Sequence, residues 1–143
     1  MLPSNNSLDY QKVKEIFVAA LDVVTWAPTS PPRRRSRGFD QAELLARGVA
    51  RRLRLPCIAL LDRTSVRPQT GLPRAERLTG PIFTARGPTP GRGLGRTLVV
   101  DDVLTTGATL SAAATALADA GCSSIHAAVT ARALLVTERA VRP

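Results

Sequence analysis

The 143-residue sequence predicts an α/β domain built on a parallel sheet with helices on both faces. Short apolar runs rich in β-branched residues alternate with helical patterns, and no repeat or linker divides the chain. Hydrophobic residues make up 44% and charged residues 22%, which is ordinary for a folded domain. Strands separated by helices need crossover connections, so the strands run parallel and are covered on both sides. We expect one domain over residues 1–143, a sheet of four or five strands, and a ligand at the strands' carboxyl ends.

The first quarter of the chain predicts a helix, a strand and a loop. Apolar residues recur at helical spacing over residues 8–20. Residues 22–26 are a short β-branched run that stops before Pro28, which is typical of a strand. Residues 27–37 are rich in proline and arginine and predict a loop.

The best-marked helix spans residues 40–54. Asp40 and Glu43 have the spacing of a capping box, in which the first accepts from first-turn amides and the second reaches back. Pro56 follows the helix, and the apolar residues 57–61 predict a second strand.

The remaining elements surround a long irregular segment. Residues 62–95 contain many prolines and glycines, and a connection of this length is usually functional or disordered. Residues 96–102 predict a third strand. A helical face over residues 110–117 stops at Gly121, and residues 125–131 predict a fourth strand.

The positive charge is concentrated in the middle of the chain. The net charge is +9, and 18 of the 20 basic residues are arginine. Residues 31–96 hold 15 arginines and four acidic residues, a net charge of +11, whereas the remainder has a net charge of −2. A guanidinium group can bond two phosphate oxygens at once. The middle of the chain therefore predicts an anionic partner, which could be nucleic acid, pyrophosphate or a nucleotide.

The composition also excludes several classes of protein. No apolar run approaches the roughly 18–20 residues of a membrane helix, and the N-terminus lacks the apolar segment of a signal peptide. Cys57 and Cys122 are the two cysteines, too few for a disulfide-rich scaffold or a four-cysteine zinc site. We expect a cytoplasmic protein with no membrane partner.

Two acidic residues and a small polar loop follow the third strand, in the sequence TLVVDDVLTTGAT (residues 97–109). Asp101 and Asp102 would repel a phosphate, so they suit the vicinal hydroxyls of a sugar or the waters around a magnesium ion. The loop opens a helix, whose first amides attract anions, and it adds hydroxyls and a glycine that allows close approach. This loop consists of Thr105, Thr106, Gly107, Ala108 and Thr109. The pattern predicts a ribose 5-phosphate site, and it is neither a GxxxxGK[ST] loop nor a dinucleotide fingerprint.

Three segments carry a family resemblance. VVDDVLTTGAT (residues 99–109) resembles the phosphoribosyl-pyrophosphate (PRPP) signature of the type I phosphoribosyltransferases. Together with it, RGFDQAELLA (37–46) and RPQTGLPRAER (67–77) resemble the ComF family, named for a late-competence operon concerned with DNA uptake. The resemblance runs over residues 22–132 and implies the parallel-sheet fold of the type I phosphoribosyltransferases.

The resemblance also implies a reaction, a pentosyl transfer of the glycosyltransferase class that depends on Mg²⁺. Ribose 5-phosphate would pass from PRPP to an acceptor, with release of pyrophosphate. Asp101 and Asp102 would bind the ribose hydroxyls and contact the metal only through water or those hydroxyls, and residues 105–109 would bind the 5-phosphate. Pyrophosphate would meet the loop after the first strand and a mobile loop at residues 63–80. The candidates in these two loops are Pro28, Thr29, Arg33, Arg34, Arg35, Arg37, Gln69, Arg74 and Arg77.

The sequence departs from the family pattern in three respects. This sequence does not supply the four-cysteine zinc module that commonly begins ComF proteins, as expected either of a short family member or of a chain that starts late. Thr105 stands where purine-salvage relatives often place an aspartate that handles the nucleobase proton, and a threonine hydroxyl is too weak an acid for that work. Few residues lie outside the core to form a nucleobase-binding hood, so the acceptor is not identified and no residue is assigned as catalytic.

Two functions therefore stay open. The first is a phosphoribosyltransferase. The second is a non-catalytic protein that senses PRPP or a nucleotide, or that handles nucleic acid during DNA uptake through its arginine-rich middle. PRPP and pyrophosphate are the expected partners, with nucleic acid and a second copy of the chain as further candidates.

Overall fold

The computed structural model describes residues 10–64, 80–87 and 94–132, and within them it forms four helices and five strands. The elements in chain order are α1 (Tyr10–Ala19), β1 (Val23–Trp26), α2 (Pro31–Arg37), α3 (Gln41–Leu53), β2 (Leu61–Thr64), β3 (Ile82–Ala85), β4 (Arg96–Leu104), α4 (Ala108–Asp119) and β5 (Ser124–Arg132). In this part of the chain, β1, β4 and β5 form a parallel sheet with β4 in the centre, and β2 pairs antiparallel with β3.

Side chains alternate along β1 and β4, and these two strands have buried residues on both faces of the sheet. Val24 and Val100 belong to the cluster that packs against α3. Val23 and Val99 belong to the opposite cluster, which includes Leu117 of α4 and side chains of the β2–β3 pair. The predicted fold class, a parallel sheet with helices on both faces, is confirmed.

Helix α3 lies where the sequence predicts it, but only half of the capping box forms. Asp40 caps the helix, its Oδ1 accepting from the Ala42 amide at 3.1 Å. Glu43 does not reach back. It accepts instead from Arg47, one turn later, at 2.8 Å, and lies 3.6 Å from Arg34. Glu43 pairs with the charged Arg47 at i+4 rather than with a backbone amide, because hydrogen bonds between ionised groups are stronger.

The second predicted strand is wrong. Residues 57–61 run beside β1 but form a single bridge, between Cys57 and Val24. Further along, the Leu60 amide donates to the Thr25 hydroxyl at 3.2 Å rather than to a backbone carbonyl, which ends the ladder. The chain enters β2 at Leu61, so the described parallel sheet has three strands rather than four or five.

The predicted loop at residues 27–37 is also wrong in its second half, which forms helix α2. Two prolines open the helix, where their missing amides and restricted φ are compatible with the first turn. Gly38 ends it with φ of 79° and donates its amide to the Arg34 carbonyl at 2.8 Å. None of the α2 residues is buried, so the apolar periodicity that reveals other helices is missing.

The third strand and the helix and strand after it form as predicted, with β4 extending two residues further, to Leu104. At the opposite end of β4 from the acidic pair, Asp22 receives three hydrogen bonds from Arg96, at 2.8, 3.0 and 3.0 Å. The Arg96 side chain, with its amide, lowers the pKa of Asp22 to about 2. No helix among the described residues is long and apolar enough to cross a membrane.

Candidate functional site

A cleft of about 310 Å³ lies at the carboxyl ends of β1 and β4. It is bordered by the loop after β1, by α2 and the start of α3, by β2, and by the segment that leads from β4 into α4. The cleft brings together eight predicted site residues, which are Pro28, Thr29, Arg33, Arg37, Asp101, Asp102, Thr105 and Thr109. Ligands of open α/β sheets bind at this edge of the sheet, so this cleft is the candidate site, and ligand binding there stays a prediction.

The two residues of the acidic pair line the cleft, and they differ in environment. Asp101 is 8% exposed, and its Oδ1 accepts from the Asp102 amide at 2.8 Å. Burial raises the pKa of Asp101 to about 6, and the neighbouring Asp102 carboxyl adds to the increase. Asp102 is more exposed and accepts from the Val103 amide at 2.9 Å. A hydroxyl donor reaching this pair would compensate the cost of burying the Asp101 charge.

The predicted phosphate loop forms one end of the site. Gly107 has φ of 81° and precedes α4, whose first helical bond runs from the Ser111 amide to the Gly107 carbonyl at 2.9 Å. The amides before Ser111 therefore lie outside the helical ladder. Thr105, Gly107, Ala108 and Thr109 line a second pocket of about 10 Å³.

This second pocket adjoins the cleft, with which it shares Asp101, Thr105 and Thr109. It has room for about one water molecule, so a phosphate bound here would extend into the cleft. Thr106 lines neither pocket and accepts from the Ala108 amide at 3.3 Å.

The other end of the site is cationic. Arg33 and Arg37, one turn apart on α2, line the cleft together with Arg63 of β2. Arg63 donates to the Pro28 carbonyl at 3.3 Å, and its guanidinium lies 5.8 Å from the centre of the Phe83 ring. Burial lowers the pKa of Arg63, and the charge of Arg33 lowers it further. A polyanion bound here would relieve both effects.

Two of the other predicted pyrophosphate residues, Arg34 and Arg35, do not line the cleft. Arg34 belongs to α2 but is not part of the lining, and it pairs with Glu43. Arg35 is exposed and also outside the lining. Gln69, Arg74 and Arg77 lie outside the described residues.

Two charged residues of the cleft, Asp40 and Arg63, are not among the named candidates that the sequence predicts. The capping box predicts only a helix cap at Asp40, although its other oxygen accepts from the Thr29 amide at 2.9 Å. Arg63 is the first residue of the predicted mobile loop at residues 63–80, but no pattern marks it individually, and the structure places it in β2. No sequence signal marks either role, because each depends on a partner 11 or 35 positions away.

The fold and the cleft define a class of protein. It is a parallel α/β domain with a cleft at its strand ends that is lined by arginines, by two carboxylates and by residues that lead into α4.

Residues 40–139 match the family model of the phosphoribosyl transferase domain, and the match covers well over half of the chain. The chain belongs to this family, which confirms the predicted superfamily. The family's chemistry is phosphoribosyl transfer, and it implies a substrate of the PRPP type. A comparison with curated proteins finds no significant match.

Proposed function

We propose that the chain is a Mg²⁺-dependent phosphoribosyltransferase of the ComF family, which transfers ribose 5-phosphate from PRPP to an acceptor and releases pyrophosphate. The set of groups that the cleft and the adjoining pocket bring together is the main support. Arginines, a carboxylate pair and a helix N-terminal loop line them, and these groups match the pyrophosphate, the ribose and the 5-phosphate of PRPP. The ComF assignment rests on the motifs at residues 37–46 and 67–77.

Each part of PRPP has a chemically matched partner in this arrangement. Arg33, Arg37 and Arg63 would bind the pyrophosphate, since a guanidinium fork bonds two phosphate oxygens. Asp101 and Asp102 would accept from the ribose hydroxyls. The loop at residues 105–109 would hold the 5-phosphate through amides and hydroxyls.

The donor set fits a magnesium ion that is held mostly by the substrate. Among the described residues, no group of three or more His, Cys, Asp or Glu side chains could hold a metal ion. Mg²⁺ commonly keeps several waters and binds one or two carboxylates together with substrate phosphates. Asp101 and Asp102 would hold it indirectly, through waters or the ribose hydroxyls. When bound, the ion supplies positive charge to the departing pyrophosphate.

The chain's own contribution to the reaction is positioning and charge neutralisation. The arginines stabilise negative charge that grows on the pyrophosphate oxygens as the glycosidic bond breaks. The carboxylates fix the ribose, so the acceptor meets the anomeric carbon in a defined orientation. Thr105 lines the cleft but cannot act as a base at neutral pH. Proton removal from the acceptor falls to another group or to solvent.

PRPP binding tests the site assignment. Calorimetric titration with PRPP, with and without Mg²⁺, compares wild type with the double variant Asp101→Asn/Asp102→Asn. We expect wild type to bind, and the double variant to lose at least about tenfold in affinity, in keeping with ~1.5–3 kcal/mol for a hydrogen bond to a charged group. Asp119→Asn is the matched control, because Asp119 is exposed at the far end of α4. Equal binding by the double variant and the control would refute the assignment.

Pyrophosphate release tests whether the protein is an enzyme. Wild type is incubated with PRPP, Mg²⁺ and each of a panel of nucleobases and amines, and pyrophosphate is measured. We expect release with at least one acceptor, and its loss in the double variant. Tight PRPP binding without release for any acceptor would favour the non-catalytic, ligand-sensing function.

Nucleic-acid binding is the second candidate function. It is supported by arginines that are exposed but do not line the cleft. Arg34 and Arg35 are exposed outside the cleft, and Arg51 and Arg52 are exposed on α3. The test measures the salt dependence of DNA binding for wild type and for Arg34→Ala/Arg35→Ala. Each lost phosphate contact on duplex DNA should make the log–log slope shallower by about 0.9. An unchanged slope would remove these residues from the surface.

A further inference from the structure

The loop at residues 27–30, which borders the cationic end of the cleft, is held by three separate contacts. The Ala27 amide donates to the Val100 carbonyl of β4 at 3.0 Å. The Pro28 carbonyl accepts from Arg63 at 3.3 Å. The Thr29 amide donates to Oδ2 of Asp40 at 2.9 Å. Three consecutive residues are thus attached to β4, β2 and the start of α3.

Helix capping explains only one of the two hydrogen bonds that Asp40 accepts. It is 3% exposed, and its two oxygens serve two segments: Oδ1 accepts from Ala42 within α3, and Oδ2 accepts from Thr29 across 11 positions. Serine, threonine or asparagine would cap α3 as well. Only a carboxylate offers two acceptor oxygens and no donor, which two amides converging on one side chain require.

Charge makes a purely electrostatic role for Asp40 unfavourable. The carboxylate lines the same cleft as Arg33, Arg37 and Arg63. A negative charge there repels pyrophosphate, so its electrostatic effect on binding is opposite to its geometric effect. The two roles therefore predict changes of opposite sign when the charge is removed.

We infer that Asp40 is a positioning residue for pyrophosphate, which holds the Thr29 amide and so gives residues 27–30 the shape that places Pro28 against Arg63. This inference rests on the proposed function and extends it. It states that Asp40, the N-cap residue of α3, determines the shape of the proposed pyrophosphate subsite. Asp40 itself does not contact the ligand in this role.

The test uses Asp40→Asn, which keeps a capping oxygen for Ala42 but presents an amide donor to the Thr29 N–H. Calorimetry measures Kd for pyrophosphate with Mg²⁺ and, separately, for ribose 5-phosphate. We expect pyrophosphate affinity to fall at least about tenfold, as for loss of a hydrogen bond to a charged group, and ribose 5-phosphate affinity to change less than about twofold. The Thr29 amide proton should shift upfield in the ¹H–¹⁵N spectrum as it loses its charged acceptor.

Glu43→Gln is the matched control, since it removes a carboxylate from the same helical turn that bonds Arg47 and does not touch Thr29. Asp40→Ser is a second variant that keeps a cap, should the asparagine variant unfold. The inference is overturned if folded Asp40 variants bind pyrophosphate as tightly as wild type or more tightly, or if both ligands lose affinity equally. These outcomes leave the proposed function intact. If wild type binds neither pyrophosphate nor ribose 5-phosphate, the proposed function fails and the inference fails with it.

Discussion

Replacing Asp101 with asparagine should stabilise the fold while it weakens substrate binding. The side chain is 8% exposed, and burial raises its pKa from 3.8 to about 6. The ionised carboxylate is therefore less favourable in the folded protein than in the unfolded chain. Asparagine can keep the acceptor for the Asp102 amide, which Asp101 Oδ1 now provides at 2.8 Å, without the charge.

The size of the effect follows from the pKa. A rise of roughly two units corresponds to about 3 kcal/mol at ~1.36 kcal/mol per unit. Because the side chain borders an open cleft, solvent screening reduces this energy, and we expect a gain of roughly 1–2 kcal/mol. For a chain of this length such a gain raises Tm by roughly 3–6 °C.

The pH dependence gives the prediction its sign. Since the folded pKa lies above the unfolded value, the cost of ionised Asp101 is fully present above about pH 6. It diminishes as the pH falls from 6 towards 3.8. Thermal unfolding of Asp101→Asn and wild type should therefore show a clear advantage for the variant at pH 8 that is mostly gone at pH 4.

Asp119→Asn serves as the control, because that residue is exposed and outside the cleft. Its Tm should match wild type within about 1 °C at pH 8, as for most surface changes. If Asp101→Asn is no more stable than wild type at pH 8, or if its advantage is equal at both pH values, burial is not the cause of the raised pKa.

Two further pairs of variants test the packing. Chemical denaturation measures the free energy of unfolding of each variant, which is compared with that of wild type. Gly95→Ala should cost about 1–2 kcal/mol, because Gly95 has φ of +52° and an added Cβ would lie 2.8 Å from Asp22 Oδ2. Gly48→Ala, in α3 with open space around it, should instead gain about 0.5–1 kcal/mol, and equal signs would contradict this account. Leu117→Ala, at a fully buried position, should cost about 2–5 kcal/mol. Leu44→Ala, 54% exposed, should stay within about 0.5 kcal/mol, and a larger loss would place it in a contact the packing does not suggest.

The elements that the sequence predicts well are those whose signals are local. Helix α3 begins and ends within one residue of its expected limits, since a capping aspartate and a regular apolar face define it. β4 and the helix after it also form where they are predicted, with limits within two residues of those expected, because an apolar run, two acids and a glycine follow in order. The acidic pair and the loop that follows it were found for that reason.

The elements that the sequence predicts poorly depend on distant partners. Helix α2 has no buried residue and hence no periodicity to detect. The pairing of β2 with β3 joins segments about twenty positions apart, including Thr64 and Ile82. Asp40 and Arg63 likewise line the cleft through contacts with the loop that follows β1, and these contacts form only in the folded chain.

The pairing of β1 with β4 has a consequence for how the protein folds. The Asp22–Arg96 ion pair at the start of this pairing joins residues 74 positions apart, and the candidate subsites draw on both sides of that separation. Before such non-local contacts can form, the chain must lose the conformational entropy of closing a long loop, and this loss slows folding. The single tryptophan, Trp26, lies opposite Val100 in this pairing and is 7% exposed. Its fluorescence during refolding should change in the slow phase in which β4 docks, and the capacity to bind PRPP should arise in that same phase.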